Sequence, residues 1–285
     1  MKQLTIVSGK GGTGKTTITA SFAALAKNHV MADGDVDAAD LHLILTPQIK
    51  KEEKFYGGRI PFLDKDKCNE CGICMEVCRF EAIHHFKIDT ISCEGCGLCA
   101  HACPNEAIKM EQRFSGHWFI SDTRFGPMVH ARLGIAEANS GKMVTLVRQQ
   151  AVLIAEEENK DLIIIDGPPG IGCPVIASIT GVDLILAVTE PTLSGIHDLE
   201  RVLGVAHHFN VPVMVCINKS DINPENVRKI ENYCRNNNIE VAGNIPYDSV
   251  VTRAMVAGQA VVEFDSGAVT DILKKMWERI KEYKQ

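Results

Sequence analysis

The sequence lacks both a long hydrophobic run and a block of basic residues. Hydrophobic residues make up 45% of its 285 residues, enough for a substantial core, yet no apolar stretch approaches the ~18–20 residues of a membrane helix. The formal net charge is −6, and without a basic cluster the sequence does not indicate nucleic-acid binding. The N-terminus leads directly into an apolar segment, without a signal peptide. We therefore expect a soluble, cytoplasmic protein.

Strand-like and helix-like segments alternate over most of the chain. The strand-like segments are apolar almost without interruption, as expected of strands covered on both faces, and they span residues 4–8, 161–165, 183–188 and 211–217. The other segments repeat apolar residues at helical spacing, for example over residues 16–27, 143–159 and 196–209. Such alternation builds a parallel sheet. The sequence predicts an α/β, doubly wound fold with a mostly parallel sheet.

Eight of the eleven cysteines lie in two segments that repeat each other. Each segment has the spacing CxxCxxCxxxC, with Cys68, Cys71, Cys74 and Cys78 in the first and Cys93, Cys96, Cys99 and Cys103 in the second. The repeat interrupts the alternation of strands and helices. We therefore predict an inserted domain at residues 61–111, within an α/β domain formed by residues 1–60 and 112–285. Cys216 lies in an apolar run and is expected to be a buried thiol.

Two such runs in tandem are the signature of a ferredoxin with two 4Fe-4S clusters, in which the fourth cysteine of each run ligates the other cluster. The predicted ligands of one cluster are Cys68, Cys71, Cys74 and Cys103. The predicted ligands of the other cluster are Cys93, Cys96, Cys99 and Cys78. The inserted domain is expected to be a small α+β, bacterial-ferredoxin-like fold. Zinc is the alternative metal, because CxxC pairs also form zinc sites.

Residues 9–16 read GKGGTGKT and follow a predicted strand directly. This is the phosphate-binding pattern GxxxxGK[ST], and the helix that follows is its usual context. We expect Lys15 to contact the terminal phosphates and Thr16 to ligate Mg²⁺. The other expected nucleotide contacts are Gly11, Gly12, Thr13, Gly14 and Thr17. A glycine-rich turn without a ligand is the alternative interpretation.

Lys10, within KGGTGKTT, makes this loop resemble that of the deviant-Walker ATPases. This family of SIMIBI-type P-loop NTPases includes MinD, ParA, the Mrp-type cluster carriers and the nitrogenase iron protein. In the family, the lysine at the Lys10 position reaches across a dimer interface to the partner's nucleotide. The resemblance therefore implies an ATP-dependent homodimer and a catalytic role for Lys10. The alternative for this residue is a solvated surface lysine beside a phosphate site.

Two further segments resemble the switches of that family. The segment ADGDVDAAD resembles the first switch, which implies that Asp35 orients the attacking water and that Asp33 lies near the Mg²⁺ shell. Helix capping is the competing role for these aspartates. The segment LIIIDGPPGIG resembles the second switch, which implies that Asp166 holds Mg²⁺ through water and that the Gly170 N–H contacts the γ-phosphate.

The resemblance extends to base recognition near the end of the chain. Asn218 and Lys219 in VCINKSD, and Pro246 and Asp248 in IPYD, match the family's adenine-contacting positions. The NKSD segment also resembles a GTPase base-reading motif, so ATP in preference to GTP depends on the family resemblance.

Cys173 lies at the position of an intersubunit cluster ligand in the nitrogenase iron protein. That protein needs a second cysteine upstream, and this chain has none between residues 114 and 166. A buried thiol is therefore the favoured interpretation. The C-terminal segment TDILKKMWERIKEYKQ is amphipathic, as is the membrane helix of MinD. Because no linker precedes it, we predict a helix docked on the sheet in preference to a membrane-binding one.

The chain as a whole resembles the MinD-superfamily ATPases with an inserted ferredoxin domain. Our leading hypothesis is an ATPase that couples nucleotide state to electron transfer, with a redox or client protein as partner. The alternative is an assembly factor for a cluster or cofactor, although the chain lacks the C-terminal CxxC of the Mrp-type carriers. A third hypothesis is a MinD-like positioning ATPase without redox chemistry.

Overall fold

The computed structural model describes residues 1–134 and 139–283. The strands are β1 Lys2–Ser8, β2 His29–Asp33, β3 Gln48–Leu63, β4 Ile83–His84, β5 Lys87–Ile88, β6 Ile108–Thr123, β7 Gly126–Leu133, β8 Leu162–Pro169, β9 Leu184–Thr189, β10 Val213–Asn218 and β11 Glu240–Ile245. The helices are α1 Lys15–Leu25, α2 Leu41–Leu45, α3 Ile73–Glu76, α4 Leu98–His101, α5 Ser140–Glu157, α6 Cys173–Ile179, α7 Leu193–His208, α8 Pro224–Asn236, α9 Ser249–Val256, α10 Val261–Phe264 and α11 Ala268–Glu282.

The chain forms two compact units. The first comprises Met1–Glu52, Trp118–Arg132 and Ser140–Gln285, and the second comprises Glu53–His117 and Leu133–Asn139. The second unit is therefore wider than the predicted insertion at residues 61–111. The difference arises from the long strands β3 and β6, within which the unit boundaries fall. Sequence analysis does not predict these two strands, because a segment such as KKEEK in β3 has no apolar periodicity.

The first unit is built on a sheet with the strand order β11-β10-β9-β1-β8-β2-β7-β6-β3. The pairs from β11 through β1 and β8 to β2 and β7 are all parallel, which confirms the predicted α/β fold with a mostly parallel sheet. Parallel strands align their carboxyl ends at one edge of the sheet, where such folds bind ligands. The loops after β1, β2, β8, β9 and β10 therefore emerge at one edge.

Helix α11 packs on the first unit's core. Leu273, Met276, Trp277 and Ile280 are all buried in one cluster with residues of α1. The ring of Trp277 lies 5.1 Å from that of Phe22, and such contacts add to the free energy gained from burial. The prediction of a docked terminal helix is confirmed. Among the described residues, no helix is both long and apolar enough to cross a membrane.

The second unit reflects the sequence repeat in its local structure. Helices α3 and α4 have four residues each, and each follows a glycine in the left-handed conformation, Gly72 or Gly97. The buried cluster of this unit consists of Cys74, Ile83, Cys99 and Ile108. Strands β4 and β5 form a short antiparallel hairpin. The two cysteine runs thus take matching conformations, while a ferredoxin-like fold stays a prediction.

Candidate functional site

The phosphate loop connects β1 to α1 and is held by Asn218 at the end of β10. The Asn218 side-chain amide donates to the Thr13 carbonyl over 2.8 Å. Gly14 has a φ of 94°, and a Cβ at this position would lie 2.4 Å from the Asn218 Nδ2 atom. A side chain at position 14 is excluded both by backbone conformation and by space. The predicted loop is therefore present, and it follows the central strand.

Two carboxylates lie side by side next to this loop. Asp33 at the end of β2 and Asp166 in β8 are paired in the register of the sheet, and both are buried. The Asp166 Oδ1 atom accepts from the Thr19 hydroxyl at 2.9 Å. The Oδ2 atoms of both aspartates have no hydrogen-bond partner among the described residues. Buried, unpaired oxygens of this kind are costly without a partner.

The electrostatics of these carboxylates fit a divalent cation. Burial raises the pKa of Asp166 to about 6. Burial, together with the nearby charges of Asp166 and Asp35, raises the pKa of Asp33 well above its usual value. A cation next to such carboxylates favours their charged form, and oxygen ligands suit Mg²⁺. Thr16, which is hydrogen-bonded to Asp166, completes a set of residues that would hold Mg²⁺.

Asp35 and Lys15 belong to the same site. Burial raises the pKa of the Asp35 carboxyl, while the charge of Lys15 opposes this shift. Lys15 is only 5% exposed, as expected of a lysine directed into a phosphate-binding loop. Asp35 also accepts a backbone hydrogen bond from Ala38 through its carbonyl. The structure therefore brings the predicted water-orienting residue close to the phosphate-binding lysine.

Two predicted nucleotide contacts have other partners in this structure. The Gly170 N–H, expected at the γ-phosphate, donates to the Ser8 carbonyl over 2.8 Å. Asp248 caps α9 by accepting from the Val250 N–H over 2.8 Å. A γ-phosphate contact by Gly170 would require its bond to Ser8 to break, so that role requires a change of conformation. Pro246 is half-buried and follows β11 directly.

Sequence analysis missed Glu190, which directly follows β9. Its carboxylate contacts Lys10, with 3.3 Å between Nζ and Oε2, and its other oxygen accepts from Lys219. Glu190 is 8% exposed. Its position in the sequence could have indicated that Glu190 belongs to the site, because an acidic residue directly after a buried strand lies at the same sheet edge as Asp166.

The eight clustered cysteines line two separate cavities of the second unit. The first cavity is lined by Cys68, Cys71, Cys74 and Cys103, with Leu63 and Phe86 among the apolar wall residues. The second is lined by Cys78, Cys93, Cys96 and Cys99, with Pro61 and Phe80 in its wall. These two groups are the mixed sets expected from the spacing. Among the described residues, however, no three His, Cys, Asp or Glu side chains are positioned to hold a single metal ion.

Backbone N–H groups point at the sulfurs of three of these cysteines. Cys68 accepts from Glu70, Cys78 from Ala82, and Cys103 from Ala107, each at 3.4 Å. The bonds to Cys78 and Cys103 are at equivalent positions of the repeat. Hydrogen bonds of this kind tune iron–sulfur clusters. Burial raises the pKa of the Cys74 and Cys99 thiols, which disfavours a thiolate there unless it binds a cation.

The remaining cysteines divide into two kinds. Cys216 and Cys234 are buried, and burial raises the pKa of Cys216 to about 12, which confirms the prediction of a buried thiol. Cys173 is exposed, so its interpretation as a buried thiol was wrong. The reason is its place as the first residue of α6, after the loop that ends β8, where the chain has left the core.

A phosphate loop after a central parallel strand, with buried carboxylates beside it, defines a P-loop nucleoside triphosphatase. The family model of the CobQ/CobB/MinD/ParA nucleotide binding domain matches residues 4–261, and the chain belongs to this family. It is an ATPase of the MinD/ParA type.

Similar proteins include relatives from archaea. An uncharacterized protein of Methanocaldococcus jannaschii, MJ0578, is 35% identical over 285 residues, covering 99% of this chain and 97% of that protein. Among solved structures, the cell division ATPase MinD of Pyrococcus furiosus is similar with a TM-score of 0.59 at 18% identity, covering 99% of this chain and 98% of that one. MinD of Pyrococcus horikoshii, complexed with Mg-ADP, has a TM-score of 0.58 at 18% identity, with 99% and 96% covered. At this identity the structures indicate a shared fold.

Proposed function

We propose that this chain is an ATPase whose second unit holds two 4Fe-4S clusters, and that its nucleotide state controls electron transfer through them. The observation that carries the proposal is the lining of the two cavities. Each is lined by four cysteines, three from one run and the fourth from the other. Such an exchange of the fourth cysteine between the two runs is typical of a two-cluster ferredoxin. Bound there, the clusters would supply one-electron chemistry.

The exchange of the fourth cysteine between the two runs favours clusters over zinc. Four cysteines around one zinc ion must all approach to about 2.3 Å, whereas the ligands of a 4Fe-4S cluster each bind a different iron and lie further apart. The described residues contain no group close enough for one ion, although four cysteines share each cavity wall. Apolar neighbours such as Leu63 and Phe86 would limit water around the group and so influence its reduction potential.

The nucleotide site supports Mg-ATP as the substrate. The unpartnered oxygens of Asp33 and Asp166 would bind Mg²⁺ directly or through water, and Lys15 would neutralise the phosphates. Asp35 would position the attacking water. A bound Mg-ADP is named for the similar MinD of Pyrococcus horikoshii. Lys10 is proposed to reach the nucleotide of a second copy, which makes the active form an ATP-dependent dimer.

The second candidate is a MinD-like ATPase whose second unit has no redox role. It is favoured by the fold likeness to MinD, which extends over nearly the whole chain, and by the CobQ/CobB/MinD/ParA family match, which reaches residue 261. On this hypothesis the cysteines would stabilise the second unit alone. The two candidates share their ATP chemistry and differ in whether the second unit exchanges electrons. A maturation ATPase differs from both in requiring a client protein.

The decisive experiment measures ATP hydrolysis by the anaerobically purified protein, first oxidised and then reduced with dithionite. Iron and sulfide are quantified on the same samples, and EPR spectra of the reduced protein are recorded with and without ATP. We expect about eight irons per chain, the number in two 4Fe-4S clusters. We also expect the EPR spectrum to change when ATP is added, or the rate of ATP hydrolysis to differ between the oxidised and the reduced protein. Eight irons without any such change would favour the MinD-like candidate, and zinc in place of iron would refute the proposal.

A further inference from the structure

Glu190 is shared by two lysines at the edge of the nucleotide site. Its Oε2 atom lies 3.3 Å from the Lys10 Nζ atom, and its Oε1 atom accepts from Lys219. The Glu190 side chain is 10% exposed, whereas the lysine side chains are 35% and 31% exposed. A nearly buried carboxylate therefore binds two lysine side chains that are about one-third exposed. Such an arrangement holds both lysines inside their own subunit.

The two lysines differ in what else holds them. Lys219 also donates to the Gly12 carbonyl of the phosphate loop over 3.3 Å, and its backbone N–H donates to the Asn218 side chain. Among the described residues, the Lys10 ammonium makes one further contact, a long one of 3.5 Å to the Ser194 hydroxyl. Lys219 is thus fixed on two sides, while Lys10 depends mainly on Glu190.

This difference decides which lysine can leave. Breaking a buried ion pair is costly when it leaves a charge without a partner. If Lys10 moves away, Glu190 keeps Lys219 and its charge stays compensated. The departure of Lys219 would instead also break the contact with the phosphate loop. Lys10 is therefore the lysine that can be released at low cost.

We propose that Glu190 is a latch that keeps Lys10 in its own subunit until an ATP-bound partner competes for it. The inference depends on the proposed function, in which Lys10 contacts the nucleotide of a second copy. Glu190 is a positioning residue, since it acts through Lys10. The phosphates of the partner's nucleotide carry more negative charge than one carboxylate and would draw Lys10 away from it. The latch thus opposes dimerisation without ATP.

The first test needs no dimer. The rates at which Lys10 and Lys219 react with an amine-specific reagent are measured by mass spectrometry on nucleotide-free protein. In E190Q we expect the Lys10 rate to rise roughly fivefold, as expected from losing an ion pair, with a smaller rise for Lys219. The matched control is E225Q, which removes the Lys229 partner on α8 and should leave Lys10 unchanged. An unchanged Lys10 rate, or an equal rise for Lys219, would overturn the latch.

The second test measures the ATP concentration at half-maximal dimerisation by sedimentation. E190Q should lower this concentration roughly fivefold, and the effect should vanish when K10A is also present. The latch would be overturned if E190Q raised the ATP concentration at half-maximal dimerisation or left it unchanged. It would also be overturned if E190Q lowered this concentration equally in the K10A background. If the wild-type protein stays monomeric with ATP, the proposed ATP-dependent dimer is wrong. The labelling rates still test the contact between Glu190 and Lys10, because they are measured without a dimer.

Discussion

The two units of this chain are stabilised in different ways. The first unit buries a large apolar cluster that includes Phe22, Met31 and Trp277. The buried cluster of the second unit is Cys74, Ile83, Cys99 and Ile108, so half of it consists of predicted cluster ligands. A small unit of this kind often depends on a bound metal for its fold. Apolar packing thus forms the core of the unit that carries the nucleotide site, whereas we expect the stability of the second unit to depend on a bound metal.

The functional groups of the two units also differ in their electrostatics. In the first unit, burial raises the pKa of Asp33 and Asp166, and the charge of Lys15 opposes the shift at Asp166. In the second unit, burial raises the pKa of the Cys74 and Cys99 thiols, and backbone N–H groups provide hydrogen bonds to other sulfurs of the set. In both units, burial disfavours the charged form of these side chains, and a bound cation would stabilise that form. The cation that we expect differs between the units: oxygen ligands suit Mg²⁺, and thiolates suit iron.

The largest expected effect is that of Cys74→Ala, which removes a ligand and part of the second unit's core. We expect iron per chain to fall by about half or more, since one of two clusters loses a ligand. Proteolytic cleavage within residues 53–117 should become rapid. Iron analysis and limited proteolysis measure the two effects. Cys216→Ala is the matched control, because it removes a buried thiol of the first unit and should keep the full iron content. Equal iron in the two variants would contradict the comparison.

The next effect is that of Lys15→Ala on ATP hydrolysis. Loss of this buried ammonium should reduce turnover by about 10²–10³-fold, the usual cost of removing one group that stabilises transition-state charge. Iron content should stay as in the wild type, since Lys15 lies in the first unit. The control is Lys229→Ala, which removes an exposed lysine of α8. A loss of iron in Lys15→Ala would show that the two sites do not form independently.

Trp277→Ala should destabilise the first unit by about 3–5 kcal/mol, because it leaves a cavity against Phe22. Urea unfolding followed by circular dichroism measures this loss. The absorbance of the proposed clusters should report a separate transition that the substitution does not shift. A single transition that shifts in both signals would mean that the units unfold together, and the contrast in their stabilisation would then fail.

The smallest expected effect is acid destabilisation of the first unit through two buried histidines. Burial, the larger cause, together with the charge of Lys160, lowers the pKa of His29 to about 4, and burial lowers that of His130 to about 4. At these two residues the unfolded chain therefore binds more protons between pH 4 and 6.5, so their contribution to stability falls as the pH decreases through this window. At pH 5 each histidine should cost roughly 1–2 kcal/mol.

Urea unfolding of the first unit at pH 7.5 and pH 5 tests the sign of the histidine contribution to the pH dependence of stability. His29→Gln should lose less stability between the two pH values than the wild type. His208→Gln, which changes an exposed histidine of α7, should behave as the wild type does. Because the raised pKa values of Asp33, Asp35 and Asp166 add stability on acidification, the test is the difference between variants. An equal change in stability in His29→Gln and the wild type would contradict the burial of a neutral His29.

The parts of the fold that were predictable are those with strong local patterns. The apolar parallel strands, the phosphate loop and the docked helix α11 follow from sequence periodicity and spacing. Strands β3 and β6 were not predicted, since their charged residues have no strand pattern and their conformation depends on pairing in the sheet. Glu190 and the exposure of Cys173 were missed for the same reason. Each depends on which segments meet at the sheet edge.

The sequence by itself determined the class of chemistry. A glycine-rich loop ending in Lys15 and Thr16 predicts a phosphate ligand, and two runs of four cysteines predict a metal, because spacing along the chain sets these local geometries. Only the tertiary structure decided that Asp33 lies beside Asp166 and that Lys10 and Lys219 share Glu190. These pairs are distant in sequence, and they meet only because the folded chain brings its strand ends and loops together.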